Sequence, residues 1–92
     1  MPLRIRLTDK TINPDNTLSV TYMIAWANAQ GVEVWSETQT LVMAGEVTRA
    51  QVLSEIRQIA EQRAGAIAAS VALEDDLNRT YERQSNGTWL VV

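Results

Sequence analysis

The chain has 92 residues, 46% of them apolar, with no histidine and no cysteine. That length fits one small domain, residues 1–92, with a modest core. The missing imidazole and thiolate remove the usual zinc, haem and iron–sulfur ligands and the Cys and Ser–His nucleophiles. A formal net charge of −3, with arginines scattered from Arg4 to Arg83, supplies no dense basic stripe, so nucleic acid is not an expected partner.

The opening Met1-Pro-Leu-Arg-Ile-Arg-Leu lacks the apolar core of a secretory signal. The longest weakly polar run, Ala64 to Leu73, is interrupted by Gly65 and Ser70 and falls short of the ~20 residues of a membrane span. The expectation is a chain cytoplasmic as synthesised, with no membrane partner, stabilised by packing or by association.

Leu3, Ile5 and Leu7 alternate with Arg4, Arg6 and Thr8, the period of a strand with one buried face. Asp9 to Asn16, rich in turn formers, reads as a loop. From Thr17 to about Ala27 a second strand places Leu18, Val20, Tyr22, Ile24 and Trp26 on its core face. Asn28-Ala-Gln-Gly31 suits a type I turn closed by a left-handed glycine, setting Asn28 opposite Val32. An unbroken ladder then pairs Trp26 with Val34, Tyr22 with Thr38 and Leu18 with Val42. It sends Glu33, Trp35, Glu37, Gln39, Leu41 and Met43 to the opposite face, beside Met23 and Ala25.

Thr48-Arg-Ala-Gln51 has the form of a capping box. Val52, Ile56, Ile59, Ala60, Ile67 and Val71 follow at helical spacing and define the side that covers the sheet. Arg63 lies inside that stripe; its guanidinium either reaches water over a packed stem or enters an ion pair between subunits. Beyond it, Ala60, Ala64, Ala68 and Ala72 make a row of small side chains that suits either a neighbouring strand or a helix of another chain. A helix running to about Asn78 would be roughly 45 Å long and overhang the sheet, unless Gly65 ends it. In Thr80 to Val92, Asn86-Gly87 signals a hairpin, with helix as far as Gln84 as the competing reading. The apolar end, Trp89 to Val92, is expected to be docked.

Chemistry-bearing patterns are few. Glu33 and Glu37, read on one strand face, stand about 13 Å apart, beyond the reach of a glycosidase pair. The acidic run from Glu74 lacks the glycine and glutamate of a calcium loop, with Tyr81 and Gly87 in their places. Asn78-Arg-Thr80 and Asn86-Gly-Thr88 match the glycosylation sequon by chance. No catalytic, cofactor or metal residue is assigned.

The expected fold is α+β: an antiparallel sheet centred on a long β-hairpin, one long helix on its inner face, and a C-terminal strand or hairpin. Met23, Trp35, Leu41 and Met43, on a face otherwise polar, are expected at an interface. So are Ala64 and Ala68 of the small-residue row and Trp89 and Val91 of the apolar end. In general build, through the Thr17–Met43 hairpin and the capped helix from Thr48, the chain resembles small structural proteins of tailed-phage heads and tails. That resemblance implies a non-catalytic assembly subunit, self-associating or joined to other structural proteins and incorporated into a virion. The rival reading is a protein- or ligand-binding module that uses the Trp35 face.

Overall fold

A computed structural model describes residues 2–92. Strands β1 (Leu3–Ile12), β2 (Thr17–Ala27) and β3 (Glu33–Ala44) form an antiparallel sheet in that order. Helix α1 (Arg49–Leu73) follows and tightens into a 3-10 turn at Glu74–Asp76. Strands β4 (Tyr81–Arg83) and β5 (Trp89–Val91) make a separate two-stranded hairpin. The architecture is the α+β arrangement expected, and residues 81–91 form a hairpin rather than a continuation of the helix.

All three hairpins close by one geometry. Asn13, Asn28 and Gln84 each donate their amide to the carbonyl four residues on, at 2.7–2.8 Å, and accept from the amide three residues on. The third residue of each loop, Asn16, Gly31 or Gly87, has positive φ, as a type I turn followed by a left-handed residue requires. Asp15 and Asn86 each take both the amide and the hydroxyl of the threonine two residues on, Thr17 and Thr88. The Asn86-Gly-Thr88 tripeptide is therefore a turn lock; a carboxylate or amide two places before a threonine is the signal that sequence reading passed over.

The core consists of Val20, Tyr22 and Ile24 from β2 against Val52, Ile56, Ala60 and Ile67 from α1. The β2 face is the one its alternation gave. Two irregularities change its partners. Opposite β2, β1 has one extra residue at Thr8, so the strand continues through Lys10 to Ile12 where a loop was expected. In β3 the extra residue is Val34: Ala27 pairs with Glu33, but Trp26 pairs with Trp35, Tyr22 with Gln39 and Leu18 with Met43. The register is one residue beyond the unbroken ladder, and one residue is half a strand period. Trp35, Leu41 and Met43 consequently pack against the core beneath α1, not on the opposite face.

The capping box forms as read: Gln51 N donates to Thr48 Oγ1 at 3.2 Å and Thr48 N to Gln51 Oε1 at 2.8 Å. Such a cap contributes about 1 kcal/mol. Gly65 does not end the helix, which runs on to Leu73 and so spans about 37 Å, matching β3. A side chain on Gly65 would meet nothing within 4 Å. Gly65→Ala is expected to stabilise the chain by about 1 kcal/mol, because alanine restricts the unfolded backbone and favours helix. Thermal denaturation should show the midpoint rising by roughly 4–8 °C; a fall would mean that the glycine serves a contact.

Asn78, at φ 66°, turns the chain out of the helix and away from the body. Strands β4 and β5 run beside each other and, among the described residues, their backbone approaches neither the three-stranded sheet nor α1. The radius of gyration is 19.0 Å, against about 12 Å for a compact domain of this length.

Candidate functional site

Two charged networks brace the sheet. On the face away from α1, Arg4 and Arg6 both donate to Glu33 Oε2, at 3.2 and 2.9 Å. Ala25 and Ala27, paired with Arg4 and Glu33 respectively, are buried on this face. The Arg4 hydrogen bond chiefly holds the Glu33 carboxyl below its ordinary value. On the helix side, Arg63 Nη2 donates to Glu37 Oε2 at 2.7 Å, and Nε lies 2.5 Å from Oε1, as an ion contact out of line for a hydrogen bond. Gln39 Nε2 donates to the same carboxylate at 2.9 Å, and Gln39 Oε1 accepts from the Tyr22 hydroxyl at 3.1 Å. Burial, reinforced by the Glu37 charge, raises the Tyr22 pKa.

These contacts bear on two readings. Arg63 lies over a packed stem and stays 43% exposed at its side chain, as one reading had it, and its guanidinium pairs with Glu37 of the same chain. The extra residue at Val34 separates Glu33 and Glu37 onto opposite sides of the sheet, so they share no face. Each carboxylate is occupied by arginine, and both networks hold elements in place: one joins β1 to β3, the other clamps α1 to β3.

The residues expected at an interface divide into four sets. Trp35, Leu41 and Met43 are partly buried within the subunit, which removes the outward face on which their assignment and the rival binding module rested. Met23 does lie on the face away from α1, half-buried between Arg6 and Thr38 in the pairing. Ala64 and Ala68 are half-buried along the helix flank, while Ala60 is core and Ala72 exposed.

Trp89 and Val91 stand out differently: they are 62% and 54% exposed, on a hairpin whose backbone approaches neither the sheet nor α1. Leu90, Val92, Tyr81 and Leu77 around them are exposed as well. The apolar end is therefore paired into a hairpin but not docked on the body, contrary to expectation. A body already closed by α1 leaves no uncovered core face at that end for it to occupy.

Local contacts set the hairpin's base. The Tyr81 hydroxyl donates to Asp76 Oδ1 at 2.6 Å, a bond that raises the tyrosine pKa. Arg79 lies 3.6 Å from the same carboxylate, and Val92 N donates to Thr80 O at 2.9 Å. Three residues per strand make a unit that is marginal alone in water. Its exposed tryptophan and aliphatic residues are the most conspicuous unsatisfied surface of the molecule.

No helix is long and apolar enough to cross a membrane. Compared with protein-family models, curated proteins and solved structures, the chain matches none.

Proposed function

We propose that the chain is a non-catalytic structural subunit that assembles with copies of itself into an oligomer or lattice. The observation that carries this reading is the exposed apolar hairpin, projecting from a body that offers it no packing. Surface area supports it: the chain exposes 6825 Å², whereas a compact monomer of 10.2 kDa exposes about 5,300 Å² by size scaling. The excess, roughly 1,500 Å², is on the scale that protein interfaces bury. What supports a virion setting, as a phage head or tail component, is the general build alone.

Molar mass by light scattering over a concentration series tests the reading. The native chain is expected to exceed the single-chain mass and to gain mass with concentration. A version ending before Trp89 should be a monomer with unchanged helical circular dichroism. A native chain that stays monomeric at every concentration would overturn self-assembly.

A further inference from the structure

Resting on that reading, we infer that assembly is head to tail: the β4–β5 hairpin of one subunit inserts Trp89 and its apolar neighbours into a cleft at the opposite end of the next. The cleft lies between the β1–β2 turn and the loop leading from β3 to α1. It is a half-open depression of ≈ 620 Å³, lined by Ile12, Leu18 and Ala44 together with Asp15 and Glu46. That volume is within the range of sites that enclose a compact organic ligand, enough for an aromatic and an aliphatic side chain together. Ile12 is 81% exposed although its pairing with Leu18 places it on the core side of the sheet.

Position, area and charge single out a second copy as the occupant. The hairpin departs where the end of α1 meets the β2–β3 turn, with Val71 and Glu74 beside Trp35, whereas the cleft is at the other end of β3, about 40 Å away along twelve residues of strand. A subunit therefore does not fill its own cleft. A standard interface takes about 800 Å² from each partner, and a head-to-tail subunit uses two patches, which accounts for an excess of roughly 1,500 Å². Pairing of two hairpins about a two-fold axis would consume one patch and leave the cleft open. The charges agree: Asp15 and Glu46 flank the cleft and Arg83 stands opposite Trp89 on the hairpin; among the described residues none of the three is in an ion pair. Such a contact is heterologous, so it closes into a ring or continues as a filament.

Two variants separate the surfaces. Trp89→Asp disables the hairpin and keeps the cleft; Ile12→Asp disables the cleft and keeps the hairpin. Both positions are exposed, and circular dichroism verifies that each variant folds. Each alone is expected to be a monomer, and an equal mixture should give twice the single-chain mass and nothing larger, since only one productive contact remains. A mixture that stays monomeric would overturn the head-to-tail contact, as would either variant retaining the native mass. In both cases a native chain that still oligomerises leaves self-assembly standing; a monomeric native chain defeats both readings. Should a charged variant fail to fold, Trp89→Ala and Ile12→Ser carry the same test.

Discussion

Ile56→Ala is expected to destabilise the chain by about 2–5 kcal/mol, the range for emptying a fully buried aliphatic site. Ile56 is 1% exposed and packs from the N-terminal third of α1 into the cluster built on Val20, Tyr22 and Ile24. Alanine is the better helix former, so local propensity opposes the loss and any destabilisation measures packing. Few large residues share this core: Tyr22, Ile24, Ile56 and Ile67 are the largest side chains buried almost completely. Domains of this kind hold about 5–15 kcal/mol in all, so the variant gives up a large fraction and should melt roughly 10–30 °C lower. Ile12→Ala, at an exposed position, should stay within about 0.5 kcal/mol of the native monomer. Urea denaturation of both, at a concentration where the native chain is monomeric, checks the contrast. Equal midpoints would show that α1 does not close the core as described.

Gly45→Ala should be damaging by a different route. A Cβ at Gly45 would stand 2.0 Å from the main-chain oxygen of Asn16 and 3.1 Å from its carbonyl carbon. The obstacle is backbone at both ends, held by the turn that Asn13 and Asp15 lock, so no side-chain rotation relieves it. The β1–β2 turn or the β3–α1 connection has to move. A loss of about 1–3 kcal/mol or more follows, as for other overpacked sites. Gly45 is not in the left-handed region, so the penalty is steric; Asn16→Gly, which leaves the offending oxygen in place, should not rescue it. The same exchange at Gly65 has the opposite expected sign, because that glycine faces open space. Melting the two variants side by side tests the reading, and a Gly45→Ala chain as stable as the native would sink it.

The contrast between these glycines shows where sequence reasoning stops. Both interrupt a regular pattern, and either could be a breaker or a close approach; which it is depends on Asn16, remote in sequence from Gly45 but in contact with it. Trp35 is the same problem in another form. Val34 and Trp35 are both apolar, so both parities of β3 are chemically acceptable, and a single extra residue at Val34 decides which one faces α1. Once Trp35 turns inward, Glu37 meets Arg63 beneath the helix and Glu33 meets Arg4 and Arg6 on the other side.

What the chain's own order determined was local. The alternation of β2, the capping box at Thr48, the helical stripe from Val52 and the turn at Asn28 each depend on residues within a few positions of one another, and each formed as read. The α+β class followed from their succession. Tertiary structure alone decided the face of β3, the continuation of β1 past Thr8, and the fate of the apolar end. Whether Trp89 is covered depends on what surface stands opposite it, and in a single subunit α1 has already taken the sheet face that would have served.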